Sequence, residues 1–256
     1  MTPGTPLVAM TSGGPHAWIM INALRARFGD FPIILEEPES QAVFWRRRRR
    51  MLGRLKTASM HAARLPIRLK KGGSGSLIKE MIETHDLNPH PPRTVKPIDV
   101  ETVNSDQTRT ILRSLSPKVI FVVSTRMIGV KTLSSTGAAF VNYHSGINPA
   151  FRGMYGAYFA LATGHPEHFG ATVHLVDQGV DTGDVLYQSR LQPDPRDTFH
   201  TYLWRVAAGS REIVISAIED ALNGTLRPQQ LDLPSKQYFA PTLGSYLWTG
   251  LRRGVW

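Results

Sequence analysis

The sequence predicts an α/β fold: a largely parallel sheet covered by helices, extended at its C-terminus by a small helical segment. Three observations carry this expectation. Residues 7–10, 32–35 and 119–123 are short apolar runs that read as strands, and the last (VIFVV) is apolar throughout, as a strand buried on both faces must be. Helical patterns alternate with such runs, the arrangement that builds β-α-β units. The composition is that of a globular chain, 41% hydrophobic and 20% charged over 256 residues, long enough to bury roughly three quarters of its unfolded surface.

Taken in order, residues 11–15 (TSGGP) are a turn. Trp18, Ile19, Ile21 and Leu24 follow it at helical spacing, and residues 32–35 (PIIL) return as a second buried strand. Residues 41–71 then hold 11 cations, including Arg46 to Arg50, and no acid. The whole chain carries 30 Lys and Arg against 20 Asp and Glu, so the rest is near neutral. A near-neutral globule bearing one basic arm is the reading, rather than a basic protein throughout. Within the arm, Phe44, Met51 and Leu55 fall on one face of a helix that Gly53 and Pro66 should interrupt. Residues 71–76 (KGGSGS) read as a flexible linker, and the proline-rich stretch 87–97 as extended chain.

Regular structure resumes at Ser105, an N-cap for a helix carrying Ile111, Leu112 and Leu115 and ended by Pro117. The strand at 119–123 follows, then a short helix over 131–135 and a strand over 138–144 (AAFVNYH) whose end is polar. A helix is expected over 156–163, stopped by Gly164, and two strands, 171–176 and 185–188, flank an Asp- and Gly-rich loop. One long helix is expected over 198–222, capped by Asp197 and stopped by Asn223-Gly224. The tail from 225 has scattered aromatics and no strong pattern. Being so apolar, it should fold back or bury a subunit interface, and a homodimer is expected.

Several function classes are set aside early. Residues 1–10 lack the basic and apolar stretches of a secretory signal, and no apolar run reaches the roughly 18 residues of a membrane span. The absence of cysteine excludes disulfides, thiolate metal sites and cysteine nucleophiles and fits a cytoplasmic location. No metal site is suggested by histidine spacing. Glu36, ending the second strand, would suit a ribose in a dinucleotide-binding fold, yet the full glycine pattern is missing.

The residues that carry chemistry are Asn142, His144 and Asp181. Asn142 and His144 are two apart at a strand end, hence on one face, at the carboxyl edge where open α/β sheets bind ligands. Asp181 lies in the loop 178–184 (QGVDTGD). Together Asn can donate to an oxyanion, His can move a proton, and Asp can accept one or orient the His.

Residues 141–153 (VNYHSGINPAFRG) and 170–183 (GATVHLVDQGVDTG) resemble the N10-formyltetrahydrofolate-dependent formyltransferases, which act on glycinamide ribonucleotide, methionyl-tRNA and nucleotide-sugars. The resemblance spans about 119–188 and implies a Rossmann-like sheet. It implies catalytic roles for Asn142, His144 and Asp181, and a folate site bordered by Arg126, Met127, Ile128, Asp177, Gly179, Val180 and Gly183. Acceptor contacts would come from Arg152 and Tyr155. One departure stands out: the family's Ser-Leu-Leu-Pro after the His is here SGINP, with the Pro retained at Pro149.

For the acceptor, 68 residues follow Gln188, fewer than the further domain of the methionyl-tRNA enzymes needs, while glycinamide ribonucleotide enzymes lack such an arm. The expectation is therefore a nucleotide-linked aminosugar, a 4-amino-4,6-dideoxy sugar such as GDP-perosamine, formylated for lipopolysaccharide O-antigen. Domain organisation follows: a catalytic domain over 1–192 with a basic insertion at about 41–76, and a C-terminal helix and aromatic tail over 193–256. The arm is expected to meet the substrate's diphosphate, to touch an anionic membrane peripherally, or to remain a solvated insertion. A nucleic-acid-binding module is the non-enzymatic alternative, but it leaves the Asn-x-His pair unexplained, and no nucleic-acid partner is expected.

Overall fold

The structure, a computed structural model, describes residues 6–94 and 96–256; the reading of residues 1–5 as lacking a secretory signal lies outside the described residues. Strand β1 (Leu7–Thr11), helix α1 (Pro15–Phe28) and strand β2 (Ile33–Glu36) form the expected opening unit. Gly13 and Gly14 make its turn with φ of 81° and 100°, conformations open to glycine at no steric cost. Helices α2 (Gln41–Leu52), α3 (Arg54–Leu69) and α4 (Ser74–Thr84) come next. Strand β3 (Ile98–Val100), helix α5 (Asp106–Leu115) and strand β4 (Val119–Val123) follow. Then come α6 (Val130–Leu133), β5 (Ala139–His144), β6 (Arg152–Gly153) and α7 (Gly156–Ala162). The chain closes through β7 (Gly170–Leu175), β8 (Val185–Arg190), α8 (Tyr202–Gly209), α9 (Arg211–Asn223), β9 (Gln237–Tyr238) and α10 (Leu243–Arg253).

Seven strands make one sheet in the order β3-β2-β1-β4-β5-β7-β8. The first five are parallel, and β7 and β8 are antiparallel additions. Period-two alternation sorts the side chains into two cores. Leu7, Ala9, Val119, Phe121, Val141 and Tyr143 join a large cluster with α1, α8 and α9. Val8, Met10, Ile120, Val122 and Phe140 join a smaller one with Leu112 of α5. Asn142 and His144 continue the smaller-core face beyond its apolar part, so the alternation that buries β5 also carries both polar side chains to one side of its carboxyl end.

Three expectations are corrected. The linker 71–76 is helical from Ser74, because Ser74 is buried, its hydroxyl meets Thr198 Oγ1 at 3.0 Å, and Leu77 and Met81 sink into the large core; packing overrides the Gly/Ser composition. Pro66 does not end its helix, which runs on to Leu69. The long helix over 198–222 is two helices that meet at Ser210. There a Cβ on Gly209 would come within 2.7 Å of Leu191, and Ser210 bonds Ser189 Oγ at 2.6 Å. Asp197 therefore caps no long helix: it accepts from Thr201 Oγ1 and Asp194 N and pairs with Arg205. The tail folds back on the rest of the chain, one of the two outcomes expected of it. Helix α10 lies on α3, Tyr246 is fully buried beside Tyr158 and Phe199, and Tyr238 stacks on Phe151 and Phe159.

Candidate active site

The strand order reverses at β1 and β4, the place where an open α/β sheet leaves a crevice beyond its carboxyl ends. A cleft of about 680 Å³ opens there. It is lined by Ser12 and His16 after β1, residues 124–128 after β4, Asn142 and His144 on β5, and Val176, Asp177, Gly179, Val180 and Asp181 after β7. Helix α2 contributes Phe44, Arg47 and Arg48, and the tail contributes Tyr238 and Phe239.

Asn142, His144 and Asp181 are brought together, and His174 joins them. Antiparallel register sets Asn142 opposite His174, and Asn142 Nδ2 lies 2.9 Å from His174 Nε2 and 3.5 Å from Asp181 Oδ1. His174 Nδ1 is 2.7 Å from the Leu175 carbonyl. A carbonyl only accepts, so Nδ1 carries the proton and Nε2 accepts from Asn142. His144 is fixed in the opposite sense: Nε2 donates to the Phe151 carbonyl at 2.8 Å, leaving Nδ1 directed at Asp181 Oδ2, 3.5 Å away. Burial opposes ionisation of Asp181. Yet the charge that His144 and His174 carry when protonated, and the Gly153 N–H, which donates to Oδ2 at 2.8 Å, pull its carboxyl well below the usual carboxylate range. The cluster is thus a carboxylate between two imidazoles, nearly closed to water. Among the described residues no group of His, Asp and Glu could hold a metal ion.

The other expected residues divide. Met127, Ile128, Asp177, Gly179, Val180 and Arg126 all line the cleft. The Arg126 side chain, however, reaches away to the Glu101 and Glu37 carbonyls, and its backbone N–H donates to Glu36 at 2.9 Å. Glu36 is fully buried and also accepts from Ser12, Thr102 and Val103. Its oxygens are committed to pinning the 126–128 loop, so the ribose reading of Glu36 fails. Asp177 organises its own loop, accepting from Gly179 N and Thr182 Oγ1. Gly183 lies outside the cleft lining; a Cβ there would sit 1.8 Å from the Leu175 carbonyl, so it permits close approach of the loop to β7. Arg152 is also outside the lining. It donates to the Val180 carbonyl at 2.7 Å and to Ser235 Oγ at 3.0 Å, tying the loop to the tail. Tyr155, in the left-handed region at φ 58°, packs on Phe199 instead.

Sequence reasoning missed His174 as a partner, Phe44 of α2 as a lining residue, and His16. The last bonds Ser124 Oγ at 2.6 Å, and burial pushes its imidazole down to about 4. Period two places His174 on the same strand face as Thr172, but only the β5–β7 register sets it against Asn142.

A family model for formyl transferases matches residues 73–218, more than half of the sequence, and the chain belongs to that family. Among curated proteins, the methionyl-tRNA formyltransferase of Corynebacterium aurimucosum is 31% identical over 155 residues, covering 60% of this chain and 46% of that protein. The Thermotoga maritima counterpart is 29% identical over 147 residues, covering 57% and 46%. The chain spans about half the length of these curated relatives. Among solved structures, a sugar N-formyltransferase from Shewanella sp. superposes with a TM-score of 0.57 at 13% identity, over 91% of this chain and 76% of that one. Glycinamide ribonucleotide transformylase 1 from Symbiobacterium toebii gives 0.56 at 17%, over 90% and 96%. At these identities the likeness is one of fold.

Proposed function

We propose that this chain transfers the formyl group of N10-formyltetrahydrofolate to the amino group of a nucleotide-linked aminosugar. The observation that carries the reading is the cluster of Asn142, His144, His174 and Asp181 in the cleft of a formyl transferase family fold. A neutral amine attacking a formyl amide creates a tetrahedral oxyanion, the nitrogen must lose a proton, and N10 must gain one as it leaves. His144 Nδ1 is the basic position available, since Nε2 is committed to Phe151. Asp181 beside it stabilises the imidazolium that forms. Asn142 Nδ2 supplies an oxyanion donor by giving up its long approach to Asp181.

The cleft also suits the two substrates. Ile128 has both backbone polar groups without partners among the described residues, suited to the donor- and acceptor-rich edge of a pterin, with Met127, Asp177, Gly179 and Val180 around it. Arg47 and Arg48 offer cations for phosphate, and Phe44, Tyr238 and Phe239 offer rings. Arg48 is stacked over Phe44 and Phe239, its Nε is buried without a partner, and Nη2 meets only the Met154 sulfur. Burial, with Arg47 alongside, lowers its guanidinium from the ordinary value, partly offset by Glu39 and Tyr155.

The test is a panel of acceptors supplied with N10-formyltetrahydrofolate: GDP- and dTDP-linked 4-amino-4,6-dideoxy sugars, the corresponding 3-amino sugars, glycinamide ribonucleotide and methionyl-tRNA. Turnover on a nucleotide-sugar supports the reading. Turnover on methionyl-tRNA alone, the acceptor named for the curated relatives, replaces it.

A further inference from the structure

Helix α3 has two apolar stripes, and only one is used. Thr57, Met60 and Ala63 are buried, with Ile67 packed on the large core. Leu55, Ala58, Ala62, Leu65 and Leu69 recur at alternating steps of three and four along the other side, and all five are exposed, Leu55 at 89% and Leu69 at 74%. Spacing of this kind aligns them as one continuous ridge. Helix α10, packed on α3, adds exposed Leu247, Trp248 and Leu251, followed by Arg252 and Arg253. Exposed cations lie on the same helix and its neighbour: Arg46, Arg49 and Arg50 on α2, and Arg54, Lys56, Arg64 and Arg68 on α3. No acid occurs from Gln41 to Lys79.

We propose that this α2–α3–α10 face docks on an anionic lipid bilayer. An interfacial helix needs an apolar ridge to enter the acyl boundary and flanking cations to meet acidic headgroups, and α3 presents both. A nucleic acid would satisfy the cations but give the leucines nothing apolar to meet. A second copy of the chain would bring two acid-free basic helices together, at an electrostatic cost. The opposite charge that this face lacks must come from its partner, and a bilayer of acidic lipid supplies it along with the apolar phase. Because α2 also lines the cleft, docking would seat the cleft close to the headgroup layer. This inference does not depend on which amine is formylated.

The experiment is flotation of the full chain with vesicles of phosphatidylcholine alone and of phosphatidylcholine mixed with phosphatidylglycerol. Binding to the mixed vesicles, absent on the neutral ones and falling steeply as salt is raised, is the expected result. Leu65→Glu/Leu69→Glu and, separately, Arg46→Glu/Arg49→Glu/Arg50→Glu should each weaken binding at least about tenfold, with circular dichroism unchanged. Equal binding to both vesicle types, or none to either, overturns the proposal with the wild-type protein alone. So does a Leu65→Glu/Leu69→Glu variant that floats like the wild type, or one that instead converts a dimer to a monomer, which would give the ridge to a second copy.

Discussion

Asp181→Asn removes one charge and almost no volume, so it reports on the electrostatics of the cluster rather than its shape. Both imidazoles approach the carboxylate at 3.5 Å. At an effective dielectric near 20, a unit charge pair at that distance is worth roughly 5 kcal/mol. A hundredfold loss in turnover corresponds to about 2.7 kcal/mol and a thousandfold loss to about 4. Either lies within what one lost carboxylate–imidazolium attraction can withdraw from the transition state. The expected result, measured as formylated product against time, is a fall in kcat of about 100- to 1000-fold with little change in KM for the formyl donor. Stability carries the same signature. The native carboxyl is held below its ordinary value, so its contribution is complete above the unfolded aspartate pKa of about 3.9 and fades as pH falls below that. The gap in Tm between wild type and Asp181→Asn should therefore be steady at neutral and mildly acidic pH and narrow below about pH 4. A variant within about threefold of wild-type kcat would refute the reasoning, because proton acceptance would then lie elsewhere.

Other perturbations have distinct outcomes. His174→Ala leaves Asn142 without its acceptor and Asp181 with one imidazole, so kcat should drop at least about tenfold while KM for the formyl donor holds. Glu36→Gln turns an amide N–H toward donors that need an acceptor; denaturant unfolding should show a loss of about 1–3 kcal/mol, and KM for the formyl donor should rise as the 126–128 loop loosens. Gly183→Ala must push the loop off the Leu175 carbonyl, costing about 1–3 kcal/mol by thermal unfolding. Arg47→Glu/Arg48→Glu should raise KM for the acceptor, most at low ionic strength, with kcat little changed.

Where local pattern and tertiary packing agree, the sequence is legible. The all-apolar 119–123 run became β4, and Asn142 and His144 were readable because period two governs any strand. Asp181 stands out in its Asp- and Gly-rich loop, but its left-handed φ of 52° and its seat between two histidines come from how the loop folds over β5 and β7. What escaped depends on contacts distant in sequence. Helix α4 begins in a Gly/Ser stretch because Leu77 and Met81 find a core. Helix α10 buries Tyr246, Thr249 and Gly250, a face too small and polar to announce itself. The pairing of β6 with β9 involves two residues on each side, below any periodicity. Arg152 was expected at the acceptor because its neighbours match a motif, but its guanidinium finds the Val180 carbonyl and Ser235 first.

Under the proposed function, the Asn142–His144–Asp181 cluster passes a formyl group to an amine. The most direct measurement follows the fate of an isotopically labelled formyl carbon by NMR, with labelled N10-formyltetrahydrofolate and an aminosugar nucleotide present together. The expected result is a formamide resonance on the sugar with the wild-type chain, and the label retained on the donor with Asn142→Ala or His144→Ala. Label released as free formate by the wild type, or a formamide signal of undiminished rate in those variants, would contradict it.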